Sequence, residues 1–242
     1  MSLFLGFDRS QYPGDALMQT LRAQAGLAWT GFYLAPAPSH ADAGWMQKRA
    51  LLQGFGYGFA PVYLGQQQGG PGSHNLSAAQ GTRDGQNAAR LAAQAGFPTQ
   101  TVIYLDIETG PPIEPVFLDY YAAWTQSVLD ENYAPGVYCS HLLAAQLRAR
   151  DARPVFWVFR LLYPVGGTFA PPLPLPAPAQ AGFSDATLLQ FAQSVALSLP
   201  DGTKLSPVDL DSSTVADPSR RTVAAAGDDA PAASVEPAVQ PS

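Results

Sequence analysis

Two acids stand one residue apart at the end of an apolar run, Thr101-Val102-Ile103-Tyr104-Leu105-Asp106-Ile107-Glu108. Alternate residues of a strand face the same side. Ile103, Leu105 and Ile107 therefore share an apolar face, and Val102, Tyr104, Asp106 and Glu108 share the opposite one. Carboxylates at i and i+2 lie about 6–7 Å apart along the backbone. Thr109-Gly110-Pro111-Pro112 then breaks the run, leaving both acids at its carboxyl end. The first run repeats the device: Phe4, Gly6 and Asp8 share a face, and Asp8 ends it. Near the end of the chain Asp209 and Asp211 flank Leu210. Gathering like charges in a low-dielectric mouth raises the pKa of at least one of them, which is what acid–base chemistry uses. Glycoside hydrolysis needs that pairing: a protonated carboxylic acid on the leaving oxygen and an ionised partner beside it.

The chain has four glutamates, Glu108, Glu114, Glu131 and Glu236. Glu114 opens a helical pattern, where its charge suits the dipole; Glu131 closes one; Glu236 lies in the final Ala/Pro-rich segment. Elimination leaves Glu108 as the candidate catalytic glutamate. A single acid at a strand end more often caps a helix or pairs with arginine, but Asp8, Asp106 and Glu108 together reverse that balance. Gln190 reads equally as a satisfied buried amide and as a ligand contact. Trp157 reads equally as core and as a sugar platform. Cys139 reads as a small core side chain, His74 as solvated, and Trp124 as core.

Eight short β-rich runs must position these groups: 3–8, 29–34, 58–64, 101–108, 136–140, 155–161, 187–192 and 207–211. Helical patterns at 14–25, 44–53, 77–95, 114–132 and 141–150 separate the first six. After the sixth run the helices stop. Strands alternating with helices imply βαβ units and a parallel sheet. Eight strands in one domain of this size predict an α/β fold of irregular TIM-like barrel type, five βα units followed by three strands lacking helices. Active sites of such barrels lie at the carboxyl ends of the strands. An open dinucleotide-binding sheet wants a glycine fingerprint after its first strand, where this chain has Asp8-Arg9-Ser10-Gln11. Residues 1–216 read as the barrel domain. From Asp217 the composition turns to Ala, Pro, Ser and acid, and 217–242 reads as a disordered tail.

Composition removes other classes. Thirteen basic against nineteen acidic residues, a net charge of -6, give no footprint for nucleic acid or anionic lipid. One cysteine excludes an intramolecular disulfide and a thiolate zinc site, and no two of the three histidines stand at a metal-ligand spacing. Neither a metal nor another cofactor is expected. No run of 18 or more apolar residues suggests a membrane span. The start has no basic n-region with a long apolar core.

Gly6-Phe7-Asp8, Tyr104-Leu105-Asp106-Ile107-Glu108, Gly136-Val137-Tyr138, Gln190 and Asp209-Leu210-Asp211 follow one another in an order that resembles a known family. It is the glycoside hydrolase-like domain of unknown function of mycobacterial and other bacterial cell-wall proteins. That domain is similar in turn to the family 25 glycoside hydrolases, the Chalaropsis-type lysozymes. The resemblance covers roughly residues 3–216. It implies the same irregular barrel and cleavage of the β-1,4 bond between N-acetylmuramic acid and N-acetylglucosamine in peptidoglycan. It also implies that Glu108 is the general acid and that Asp106 stabilises an oxocarbenium-like state or orients the acetamido group. Asp8 would assist at the base of the cleft, and Asp209 or Asp211 would complete the acidic floor. Tyr63, Tyr138, Trp157 and Gln190 would line the sugar sites. The last motif departs from the lysozymes, which usually carry Asp-x-Asn where this chain has Asp-Leu-Asp.

The expectation is a muramidase-like enzyme acting on peptidoglycan or a related glycan. The rival is a catalytically inactive glycan-binding or structural module of a phage-like or secretion assembly, docked through its tail. Without a signal peptide the product would be made in the cytoplasm and reach the wall through a phage particle, a holin or a contractile apparatus.

Overall fold

A computed structural model describes residues 2–220. Its strands and helices alternate as β1 Phe4–Asp8, α1 Asp15–Ala25, β2 Trp29–Tyr33, α2 Arg49–Gly54, β3 Gly58–Tyr63, α3 Ala78–Gln94, β4 Val102–Asp106, α4 Pro115–Asp130, β5 Ala134–Ser140, α5 Ala144–Arg150 and β6 Val155–Phe159. Three strands follow without helices of their own length: a two-residue β7 (Thr168–Phe169), then β8 (Ala186–Ser198) and β9 (Lys204–Ser213). Strands β1 to β6 pair in parallel in chain order. β8 continues parallel to β6, and β9 returns antiparallel between β8 and β1. The β6–β8 pairing closes an eight-stranded barrel, leaving β7 as a short rider on β8. None of the described helices is long and apolar enough to cross a membrane.

Closure depends on what fills the interior. Trp29, Tyr104 and Trp157 point inward and meet edge to face, with centroids 5.5 Å apart for the two tryptophans and 5.8 Å for Tyr104 and Trp157. All three are fully buried. Their bulk fits because two neighbouring strands offer no side chain there: a β-carbon at Gly6 would overlap the Trp29 indole, and one at Gly136 would lie 2.6 Å from the Tyr104 ring. Large residues beside absent ones is how a narrow barrel packs without voids.

Three expectations shift. The second helix begins at Arg49, not at 44, because the preceding residues are tied into a loop. Asp42 accepts the Gly44 N–H at 2.8 Å, and the Trp45 indole donates to the carbonyls of Arg9 and Ser10. The last two strands are longer than expected, 13 and 10 residues, and form one hairpin. Register shifts between Gln190 and Ala192, Ala192 and Val195, and Val195 and Leu197 break the two-residue period there. Finally, residues 217–220 close the amino-terminal end of the barrel. Asp217 accepts the Phe59 N–H at 3.0 Å, Tyr104 donates to the Pro218 carbonyl at 2.9 Å, and the Val102 N–H reaches Ser219 O at 2.8 Å. The barrel therefore extends to Arg220. The rest of the expected tail, 221–242, and the docking role assigned to it lie outside the described residues.

Candidate active site

Asp8 and Asp106 are the last residues of β1 and β4, and Glu108 stands just beyond β4. All three line one cleft of about 310 Å³ at the carboxyl ends of the strands, together with Asp209. The antiparallel return of β9 sets the depth of its two acids. Asp209 lies opposite Asp8, whereas Asp211 lies opposite Gly6, one inward position deeper. Asp211 is thus fully buried beneath the cleft and accepts the Trp157 indole N–H at 2.9 Å.

Other groups aim these carboxyls. The Tyr33 hydroxyl donates to Asp8 Oδ1 at 2.6 Å. Gly31, two residues earlier on the same face, lets β2 come close: its β-carbon would sit 2.8 Å from that of Asp8. Asp209 accepts the Gln190 side-chain N–H at 3.0 Å and the Ser194 main-chain N–H at 2.7 Å. Ser194 adopts a left-handed backbone, φ 53°, within the β8 irregularity. Gln67, which is buried, spans the end of β4 with one amide. Its Nε2 donates to the Asp106 carbonyl at 2.9 Å, and its Oε1 accepts the Glu108 N–H at 3.1 Å. From the other side the Ile107 N–H is held by Tyr138 O. Glu108 therefore projects from a pinned main chain although the ladder has ended.

Burial and mutual repulsion move every carboxyl of this group upward. Loss of hydration, with the charge of Asp209 opposite, lifts Asp8 to about 8, and the Tyr33 hydrogen bond only partly offsets it. Asp106 is pushed well above the carboxylate range by burial and then by Glu108 and Asp8. Asp211 is pushed well up by burial, then by Asp8 and Asp209. Glu108 is exposed at the mouth, yet the cleft walls thin its hydration. That and the charge of Asp209 raise it, and its hydrogen bond with Asp106 offsets part of the rise. Asp209 rises through burial, against the pull of Ser194 and Gln190.

Two close carboxyl pairs result. Asp106 adjoins Glu108, and Asp8 adjoins Asp211, close enough for each pair to hydrogen-bond once one member is protonated. Asp106 Oδ1, Asp8 Oδ2 and Asp211 Oδ2 are buried and receive no hydrogen bond from any N–H or O–H donor. Two carboxyl groups can hydrogen-bond only when one keeps its proton, so each pair is a one-proton unit.

Tyr138 lines the cleft, and Trp157 forms its floor, buried and edge-on to Tyr138 at 5.2 Å. Trp157 is therefore no exposed stacking platform. Gln190 does not reach the cleft surface; it stands behind Asp209. Tyr63 belongs elsewhere. Strand alternation sends Val62 and Leu64 into the cleft and Tyr63 outward, where it is buried near Trp124 and accepts from Asn87 at 3.1 Å. Sequence reasoning missed Tyr33, Gln67, Ser194 and Arg9. Tyr33 was findable, since Trp29, Gly31 and Tyr33 alternate up β2 as Phe4, Gly6 and Asp8 do up β1. Gln67 carried no signal, because a glutamine in a glycine-rich loop has no pattern to mark it.

No group of three metal-ligating side chains forms among the described residues. A second depression of about 410 Å³, lined by Ser39, Leu64, Gln67, Gly69, Gly70 and Pro71, adjoins Glu108. Glu108 thus lines both spaces.

A family model described as the Rv2525c-like, glycoside hydrolase-like domain matches residues 19–160, a span that holds Asp106 and Glu108 but neither Asp8 nor the β8–β9 hairpin. No curated protein matches the chain in sequence. Solved structures share the fold. An uncharacterised protein of B. stearothermophilus is 20% identical, covering 86% of this chain and 94% of its own, with a TM-score of 0.64. The Tat-secreted protein Rv2525c of Mycobacterium tuberculosis, in complex with L-tartrate, is 18% identical over 86% of this chain and 93% of its own, TM-score 0.58. The catalytic domain of endolysin ply40, from bacteriophage P40 of Listeria monocytogenes, is 15% identical over 88% and 94%, TM-score 0.57.

Proposed function

The chain belongs to the Rv2525c-like, glycoside hydrolase-like domain family, and on that footing we propose that it is a muramidase-like glycoside hydrolase cleaving β-1,4 bonds of bacterial peptidoglycan. The observation that carries the reading is the Asp106–Glu108 pair, one member buried and one at the mouth, sharing a proton in a cleft of carboxyl groups.

Glu108 is the member that can touch a glycosidic oxygen, because Asp106 is only 4% exposed. In the free protein Asp106 is the stronger holder of the proton. A bound sugar removes the remaining water from Glu108, which disfavours its anion. The proton then passes along the shared hydrogen bond to Glu108, which delivers it to the leaving oxygen. The negative charge is left on Asp106, beside the carbon where positive charge develops. Asp8, held by Tyr33 and its pairing with Asp211, supports the floor, and Asp209 shapes the field on Glu108. Tyr138 and the Trp157 floor give the sugar an apolar face.

The test is release of new reducing ends from purified peptidoglycan by the wild type and by Glu108→Gln, across acid to neutral pH. The expected result is release by the wild type and a loss of about 10²–10⁴-fold in the variant. No release by the wild type at any pH would remove the enzymatic reading. Binding without release would favour the rival, a glycan-binding module without turnover.

A further inference from the structure

Arg9 is the one cation lining the cleft among the described residues; the other charged groups there are Asp8, Asp106, Glu108 and Asp209. Elsewhere most basic side chains of the described residues are committed. Lys48, Arg148, Arg150 and Arg153 each hold a carboxylate, and Arg22 and Arg160 grip main-chain carbonyls at 3.2 and 3.1 Å. Arg9 has no carboxylate and only the weakest of such carbonyl anchors. It makes no ion pair with any described carboxylate, although it follows Asp8 directly, and its one polar contact is a long 3.5 Å approach to Ser206 O. Around it the lip offers Ser10, Gln193 and Ser194, all neutral hydrogen-bonding residues.

A half-exposed guanidinium at the rim of an acidic cleft, left without its own anion, is built to receive one. Its planar fork of donors matches a carboxylate, and the pair is stronger than a neutral hydrogen bond. The acids of the cleft repel an anionic substrate, so discrimination in its favour requires a cation placed where the substrate's charge falls. Of the two sugars alternating in peptidoglycan, N-acetylglucosamine carries no acid. Muramic acid carries a lactyl ether that ends in a carboxylate when the peptide stem is absent, and the stem supplies its own carboxylates when present.

We infer that Arg9 is the specificity-determining residue of this cleft, gripping a carboxylate hung on the glycan and so separating muramyl glycans from uncharged chitin-like ones. The inference rests on the glycan reading above and names the chemistry that this site selects. Binding measured in a protein unable to turn over keeps it apart from the question of catalysis.

In the Glu108→Gln protein, calorimetry would compare three ligands: an N-acetylglucosamine–N-acetylmuramic acid disaccharide with its lactyl carboxylate free, the same disaccharide bearing a stem dipeptide, and chitobiose. Each titration is repeated with Arg9→Gln added, a rim substitution that leaves the barrel interior untouched. At least one muramyl ligand is expected to bind about tenfold or more tightly than chitobiose. Arg9→Gln should erase that preference and leave chitobiose binding unchanged. A preference confined to the free-lactyl sugar assigns the carboxylate to the lactyl group; one confined to the stem-bearing sugar assigns it to the peptide. Equal affinity for all three ligands, or a preference that survives Arg9→Gln, overturns the inference. Binding of none of them overturns the glycan reading with it.

Discussion

Asp8→Asn should make this protein more stable, and only above acid pH. In the folded chain Asp8 keeps its proton up to about pH 8, against an ordinary value of 3.8. Below pH 4 the residue is neutral in both folded and unfolded states and favours neither. As pH rises from 4 the unfolded chain releases this proton while the folded one holds it, so stability falls by about 1.4 kcal/mol per pH unit until pH 8. For an isolated group the loss would reach about 5–6 kcal/mol. Asp211 shares the proton and relaxes as Asp8 ionises, so roughly half, about 3 kcal/mol, is the expected figure. An asparagine cannot ionise, and its carbonyl oxygen still accepts from Tyr33. Urea unfolding at pH 4, 6 and 8 reads the effect. The variant should match the wild type within about 1 kcal/mol at pH 4 and exceed it by about 3 kcal/mol at pH 8, or about 6–12 °C in Tm. A difference of the same size at every pH, or a variant weaker at pH 8, would refute the idea that Asp8 is a buried acid under strain.

Tyr33→Phe removes a 2.6 Å donor from Asp8; it should raise the Asp8 pKa further, seen as a shift in its carboxyl carbon titration by NMR, and lower stability by about 1–2 kcal/mol. Gln67→Leu leaves the Asp106 carbonyl and the Glu108 N–H without their amide. Steady-state kinetics on soluble glycan should then show kcat down by about tenfold or more with KM little changed, and a change confined to KM would argue against a positioning role. Gly6→Ala forces a methyl into the Trp29 indole and should cost about 1–3 kcal/mol or more, visible as a lowered Tm with the pH profile of unfolding unaltered. Asp211→Asn keeps a neutral hydrogen-bonding group beside Trp157 and Asp8 and should be tolerated, whereas Asp211→Leu, which can offer neither, should lower the Tm.

Much of the site was legible because strands announce themselves simply. Asp8, Asp106 and Glu108 each end an apolar run with two-residue alternation, and parallel strands place their carboxyl ends on one rim. What escaped detection lay where that period fails. Tyr63 was placed in the cleft by the family resemblance, whereas alternation with Val62 and Leu64 turns it to the opposite face. The β8 register shifts hid Ser194 and half of the last hairpin. Gln67 sits in a loop whose only sequence character is its glycines.

Residue types and short spacings were enough to determine the βα repeat, the barrel, and acids of raised pKa at its mouth, because each depends on neighbours within a few positions of the chain. The depth of Asp211 beneath Asp209, its pairing with Asp8, and the clamp of Gln67 on β4 were decided by tertiary structure alone. Each depends on how distant strands meet: the antiparallel return of β9 in the register Asp8 with Asp209, and a loop after β3 crossing to the end of β4. A one-dimensional pattern records which face a side chain takes, but not the strand beside it, and it is that neighbour which decides whether an acid holds its proton.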